Sequence, residues 1–521
     1  MSSNLTLIAP NRIHKIREDW APITDAPIIG KDVLELLSSS MYVNVLSVYR
    51  EYVQNAADSI DTAKEAGVLS RGAGRIHLSV DPHRRVTRIR DNGVGLRRNE
   101  FVERLVAFGA SKKRGSRARG FRGVGRLAGL AYCQELIFRA KAIEDTHISE
   151  LRWDCRKLKA LLRNEAYADK LEKLVRDVVM VRAFIDGTMP AHFFEVELTG
   201  IVRHGSDVLM DSSAIQRYLE QVAPIPFAPE FSYGTQIEEA LKAQVNLGNV
   251  EITINEGERP LYRPYRDEFE ARKGVGDRFQ RIQHLSIPGS DAAVAAVGWV
   301  LHHGYLGAFP QNSPIKGLRL RSGNLQIGEA ELLDEIFPEP RFNSWVVGEV
   351  HILDDRILPN GRRDHFEQNV HFRNVLGQLS PIARDLGHLC RDSSLRRNWI
   401  RKFEQGVIVI NARLAILRQG AITKGRRARL KDEIVDRSAH LEKIAKSPAL
   451  DAKTRAGFHD RLMHLNVKLH RAMLSKPGHK DLKRFRGGRR RLVQRLVEVV
   501  YDVVPNPITA KMLVDKILRR L

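Results

Sequence analysis

Apolar residues recur at helical spacing from Val33 through Ile60, so 32–66 is expected to form two helices or one bent helix. Ile76–Val80 and Val86–Arg90 alternate as strands around an Asp81-Pro82 turn, and Phe193–Leu198 alternates in the same way. Between them, 96–125 is rich in glycine, arginine and serine and is expected to be a loop with one helix near Glu100–Phe108, opening onto an apolar helical run at Leu127–Tyr132. The proline cluster at Pro224, Pro226 and Pro229 marks a boundary. Strand-like runs follow at Val250–Asn255, Ala293–Leu301, Leu318–Arg321 and Trp345–Ile352, mixed with helical patterns. From about Phe366 the pattern turns helical, with segments at Ala412–Leu417, Leu430–Ile444, Phe458–Leu474, Leu492–Val504 and Ile508–Leu521. Three regions are therefore expected: 1–225, 226–395 and 396–521. No internal repeat and no long low-complexity tract is present.

Composition narrows the class. The 521 residues suffice for about three domains, with 43% hydrophobic and 28% charged content typical of a globular chain. The longest apolar run, Ala292–Leu301, falls far below the ~18 residues of a membrane span. The first ten residues lack a signal-peptide pattern, and the three cysteines, Cys133, Cys155 and Cys390, have no metal-type spacing. Reduced thiols in a cytoplasm, and no membrane, are the expectation. The 18 histidines form no recognised ligand motif. The net charge of +23 is uneven: residues 401–521 carry 30 Lys and Arg against 11 Asp and Glu, whereas the first 400 residues hold 55 against 51. A basic C-terminal region on a near-neutral body suggests an acidic partner or simply a solvated helical surface.

Three polar constellations carry candidate chemistry. In Arg50-Glu51-Tyr52-Val53-Gln54-Asn55-Ala56-Ala57-Asp58, the acid, amide and acid at i, i+4 and i+7 project from one face of a helix. Alone this is the wet side of an amphipathic helix. Strand Val86–Arg90 then runs into Asp91-Asn92-Gly93-Val94-Gly95, where two glycines let backbone approach a flat ligand while the carboxylate accepts from an exocyclic amine. By itself this is a common turn. Last come Gly109-Ala110-Ser111-Lys112 and Gly120-Phe121-Arg122-Gly123-Val124-Gly125-Arg126, whose bare backbone N–H groups suit phosphate. The pattern is neither a Walker A loop nor a dinucleotide fingerprint.

In this order, within about 75 residues, the three resemble the Bergerat pocket of the GHKL ATPases: gyrases, the ninety-kilodalton heat-shock chaperones, histidine kinases and MutL. The resemblance implies an α/β sandwich with ATP under a lid, followed by a middle or transducer domain that the pattern reads as α+β; the helical C-terminal region rests on the apolar pattern alone. Fifty residues before the pocket leave no room for a histidine-kinase phosphoacceptor helix. The chaperone branch is most similar, through Val33-Leu34-Glu35-Leu36-Leu37, Asn44–Glu51 and the lid end Gly120-x-x-Gly123-Val124-Gly125. Ile315–Leu320, Gly348–Asp355 and Leu358–Asp364 resemble its middle domain, where an arginine reaches the γ-phosphate; Arg363 matches, with Arg362 as the neighbouring alternative. Arg126 departs from that branch, and Gly120-Phe121-Arg122-Gly123 is closer to the lid of MutL and its MORC relatives, which act on DNA. The family's late Gly-Thr matches Gly187-Thr188 or, better placed, Ala191-His192. The resemblance ends at about Leu395, so no client-binding or dimerisation role is carried over from the chaperones to the residues beyond it.

The resemblance and the chemistry together imply roles. Asp91 binds the adenine amine, with Gly93 and Gly95 making room for the ring. Asn55 ligates Mg²⁺, Asp58 supports the nucleotide through water, and Glu51 orients and deprotonates the attacking water. Lys112 with Gly120, Gly123, Val124 and Gly125 neutralises phosphate charge. Arg363 stabilises the transferring phosphoryl group, with Lys316 as a second candidate because gyrase-like relatives use a lysine there. The expected protein is an ATP-driven clamp and homodimer acting on protein clients; the alternative is a clamp on DNA or RNA through the basic region. A purely regulatory ATP-binding module is a third possibility.

Overall fold

The computed structural model describes residues 44–521 apart from 71, 107–124, 165–170, 204, 246, 248–249, 258, 292, 420–421 and 475–480. The lid positions Gly109, Lys112, Gly120, Gly123 and Val124, and the Val33–Leu37 run, lie outside these residues. The chain separates into two compact units. Among the described residues, the first comprises 44–265 together with 321–327 and 358–367; the second comprises 266–320, 328–357 and 368–521.

In the first unit, helix α1 (Ser47–Glu65) precedes strands β1 (Arg75–Asp81) and β2 (Val86–Asp91) and helix α2 (Arg98–Val106). Strands β3 (Glu135–Lys141) and β4 (Ile148–Asp154), helices α3 (Cys155–Arg163) and α4 (Leu171–Val178), and strands β5 (Val179–Phe184) and β6 (Phe193–Thr199) follow. Helices α5 (Ser212–Val222) and α6 (Gly234–Leu241) and strand β7 (Glu251–Ile254) complete it. The seven strands form one sheet in the order β5-β4-β3-β6-β2-β1-β7, antiparallel except for the β1–β7 pair.

Period-two alternation gives this sheet two different faces. Ile89, Val196, Leu198, Phe138 and Leu151 enter a core with Val53, Ala57 and Ile60 of α1 and Ile215 and Leu219 of α5. The intervening residues form an ion-pair ladder across strands. Arg139 reaches Glu150 (2.6 Å), Glu195 and Glu197 (both 2.8 Å), and Arg88 and Arg90 pair with Glu197 and Glu195 (both 2.6 Å). Each carboxylate is covered by guanidinium groups, which offsets its desolvation. Arg139 is held more firmly protonated by these three carboxylates, although burial opposes it first.

In the second unit, the hairpin β8 (Glu268–Arg272) and β9 (Val275–Arg278) precedes β10 (Arg281–Pro288), β11 (Val294–His302) and β12 (Gly317–Ser322). After β13 (Leu325–Ile327), which belongs to the first unit, β14 (Val347–Ile352) joins the sheet, giving the order β10-β11-β14-β12. Five helices follow: α7 (Val370–Gln419), α8 (Lys424–Ala445), α9 (Ala452–Leu474), α10 (Gly487–Val503) and α11 (Pro507–Arg520). They share a core of Phe403, Ile410, Leu414, Ile434, Leu441, Phe458, Leu462, Val497 and Val514, with Phe403 stacked on Phe458 at 3.7 Å between centroids. The mixed α/β architecture and helical C-terminal region are those expected.

Candidate functional site

The site is built where α1 lies over β2. Val53, Ala57 and Ile60 turn one face of α1 into the core, which leaves Glu51, Asn55 and Asp58 on another. That face is not wet: Glu51 and Asp58 retain only 3% and 6% of their exposure, and Asn55 is half-buried. Buried carboxylates without apolar function are expensive unless paired or used.

Alternation along β2 puts Asp91 on the same face as Ile89, carrying its carboxylate under α1. There it accepts from the Gly93 N–H (2.9 Å) and from Ser59. Burial dominates these bonds and pushes its pKa up to about 7. A Cβ on Gly93 would strike the Ser59 backbone at 2.7 Å, so only glycine lets the turn pass beneath α1. Gly95 adopts φ +69°, and a side chain there would strike the Lys141 carbonyl. The His192 Nδ1–H donates to the Gly93 carbonyl at 2.7 Å. Thus Ala191-His192, directly before β6, reaches the pocket turn, while Thr188 is exposed and bonded locally to Asp186 (2.7 Å).

Glu51 sits between two arginines. Its Oε2 is 3.4 Å from Arg363 Nη2 and its Oε1 is 3.5 Å from Arg50 Nη2. Buried Oε1 makes no hydrogen bond among the described residues. Arg363 stands on the 358–367 segment, which closes on itself through Glu367 N–H to the Leu358 carbonyl (2.8 Å) and Asn360 N–H to the His365 carbonyl (2.8 Å). Arg363 takes φ +56°, a left-handed conformation that a non-glycine residue adopts at a cost. Arg50 holds the segment from below, donating to the carbonyls of Arg362 (3.1 Å) and Arg363 (3.5 Å). The Arg362 side chain is exposed.

The end of the lid meets the same carboxylate. A Cβ on Gly125 would collide with Glu51 Oε2. The run after it is not the α-helix expected at Leu127–Tyr132 but a 3₁₀ helix, Gly125–Ala131. Tyr52 explains the tight turn: its hydroxyl accepts from Gly129 N–H (2.8 Å) and donates to the Arg126 carbonyl (3.3 Å). So short a helix supplies little macrodipole, which removes that part of the phosphate argument. Burial lowers the pKa of Arg126 to about 10. Lys316 lies in the second unit, with its ammonium 2.6 Å from Glu331.

Arg50 is a site residue that the sequence shows only as the neighbour of Glu51. His192 is marked in the sequence only by its place before β6, and its bond to Gly93 is a tertiary contact.

A buried acid at a strand end, a second beside an arginine, and glycines packed against both are the parts of a nucleotide site. Residues 43–176 match the family model described as histidine kinase-, DNA gyrase B- and HSP90-like ATPase. Residues 43–176 are a GHKL-type ATPase domain. Over 94 residues the chain is 37% identical to the chaperone protein HtpG of Serratia proteamaculans, covering 17% of this chain and 15% of the relative. HtpG of Anaplasma marginale is 35% identical over 89 residues, covering 16% and 14%. HtpG of Salmonella typhimurium is 27% identical over 142 residues, covering 24% and 23%. The chain thus spans less than a quarter of these chaperones' length.

The GHKL pocket offers donors that fit ATP with a divalent cation. Buried Oε1 of Glu51 has no hydrogen-bond partner among the described residues, and the Asn55 amide lies one turn away. An amide oxygen beside a carboxylate suits a hard cation that keeps several waters.

Proposed function

We propose that this protein is a magnesium-dependent ATPase that works as a homodimeric conformational clamp on protein clients in the cytoplasm. The observation that carries the reading is the buried Glu51 carboxylate 3.4 Å from Arg363, one helical turn before Asn55. Asp91 accepts the adenine amine in the space that Gly93 and Gly95 leave. Asn55 holds Mg²⁺, which when bound would neutralise phosphate charge, and Asp58 supports the nucleotide through water. Lys112, Gly120, Gly123, Val124 and Gly125 form the phosphate lid. Glu51 orients the attacking water and takes its proton, and Arg363 stabilises charge on the transferring group, with Lys316 as a further candidate. The matched relatives are chaperones, which favours a protein client over nucleic acid. Free, buried cysteines agree with a reducing compartment.

Dimerisation is read from α10. Leu492, Leu496, Val499 and Val503 follow one another at steps of four, three and four, and all are exposed, while Val493, Val497 and Tyr501 pack inward. A 3-4 apolar stripe on an exposed helix face is the pattern of helix–helix pairing. Arg491 and Arg495 are exposed beside the stripe, while Asp502 pairs with Arg426 (2.9 Å) and Glu498 accepts from Thr423, so the apolar stripe carries the pairing.

The deciding experiment compares Glu51→Ala with Asp91→Asn by calorimetric ATP titration and phosphate release. Glu51→Ala should bind ATP almost as the parent does, with turnover down by at least about 100-fold; Asp91→Asn should lose binding itself. Parental turnover in Glu51→Ala would overturn the assignment of the base.

A further inference from the structure

The basic charge of the C-terminal region is not used by the ATPase reading, and one part of it is shaped. Between α7, α9 and α11 lies an open cavity of about 430 Å³, lined by Asn411 and Arg418 of α7, Lys468 of α9 and Lys511 and Asp515 of α11, with Leu414 at its base. Leu414 is buried in the helical core, whereas Arg418 and Lys468 are exposed at their ends. Lys511 already pairs with Asp515 at 2.5 Å, one turn along the same helix. Neither Arg418 nor Lys468 has an ion-pair or hydrogen-bond partner among the described residues. The mouth therefore carries three cations and one carboxylate, a local excess of two positive charges.

We infer that this cavity is a binding site for a small phosphorylated molecule carrying at least two negative charges, separate from the ATPase pocket. Three helices remote in sequence bring like charges together, which costs repulsion that an anion would relieve. A guanidinium grips a phosphate through two parallel N–H donors, and the two ammonium groups add point charges around it. The Asn411 amide supplies a neutral donor, and Leu414 adds an apolar patch to the lining. The volume suits a small ligand and not a protein segment. The exposed cations of α10, Arg489, Arg490 and Arg491, are not among the lining residues, so a long polyanion held by α10 would be a different site.

Inorganic pyrophosphate is the probe, titrated calorimetrically into the full chain without magnesium at low salt. The parent and Asp91→Asn should each bind one pyrophosphate in the cavity with the same affinity, since the adenine contact takes no part. Lys468→Ala should weaken binding about tenfold, and Arg418→Ala with Lys468→Ala should weaken it at least about 100-fold. Both cavity substitutions sit at exposed positions and should leave the helical circular dichroism unchanged. Arg489→Gln, Arg490→Gln and Arg491→Gln together should leave pyrophosphate affinity within about twofold. Unchanged affinity in the Arg418/Lys468 variant, or loss in the α10 variant instead, overturns the proposal, as does a parent that binds no pyrophosphate.

Discussion

The GHKL unit and the C-terminal helices use charge in opposite ways. In the first, Glu51, Asp91, Glu195 and Glu197 are buried, and arginines or backbone N–H groups stand beside them at specific distances. In the second, most basic residues of α10 lie at the surface, next to exposed leucines and valines. A buried charge must have its partner placed to within a fraction of an ångström, because the interior gives it no water to fall back on. Such demands fix residue type and spacing together. Surface charge tolerates substitution and displacement, so it informs through total charge and shape more than through motif.

The sharpest way to break this contrast is at the arginine segment, where the placement of a buried pair should control rate. Arg363→Ala should cut turnover by about 100-fold or more with nucleotide affinity within a few-fold, because the lost contact matters mainly in the transition state. Arg362→Ala, at an exposed side chain, should remain near the parent. Arg50→Ala should also slow turnover, since it donates to the two carbonyls that carry Arg363. Acting through Arg363, it should add little to Arg363→Ala in the double variant. Multiplying losses would show that Arg50 acts independently and not as an anchor.

A second test lies on the exposed side of the comparison. Leu496→Glu with Val499→Glu should raise the dissociation constant of the dimer on the order of 100-fold, from lost apolar burial and like charges brought together. Sedimentation reads this directly. Cutting the chain near Arg401 is a poorer test, because α7 runs unbroken from Val370 to Gln419 and would be severed. A dimer that survives both glutamates removes α10 from the interface.

Legibility followed the same division. The i, i+4, i+7 spacing put Glu51, Asn55 and Asp58 on one helix, and the alternation of Val86–Arg90 delivered Asp91 to a strand end. The strands at 76–80 and 193–198 and the last four helices also lie within six residues of the expected ends, whereas the segment expected at Ala412–Leu417 is only the end of the long α7, Val370–Gln419. Strands β3, β4 and β5 also alternate, with Arg139, Glu150, Arg152 and Arg182 on the ladder face, but they are not among the strands read from the sequence. Arg50 escaped because its partners are main-chain carbonyls more than 300 positions away, which no local pattern encodes. The tight turn at Gly125–Ala131 depends on the Tyr52 hydroxyl, again a tertiary contact that overrides an apolar run.

The smallest expected effect concerns pH and isolates the buried acid of the first region. Burial lifts Asp91 to about 7, well above an unfolded aspartate near 3.8. Between those values the folded chain holds a proton that the unfolded chain has released, so stability from this group falls as pH rises from about 4 to about 7. The full difference is about 4 kcal/mol at most. Asp91→Asn has no such proton, so it should gain stability relative to the parent as pH rises, with the gap closing toward pH 4 in denaturant titrations. Ligand binding should run the other way, because an adenine amine favours the ionised carboxylate. Adenosine, which carries no phosphate to titrate, should bind roughly tenfold more tightly at pH 8 than at pH 6 and release a proton near neutrality. Adenosine affinity that is flat across this range, with the stability slope intact, would leave Asp91 a buried structural acid and detach it from the adenine.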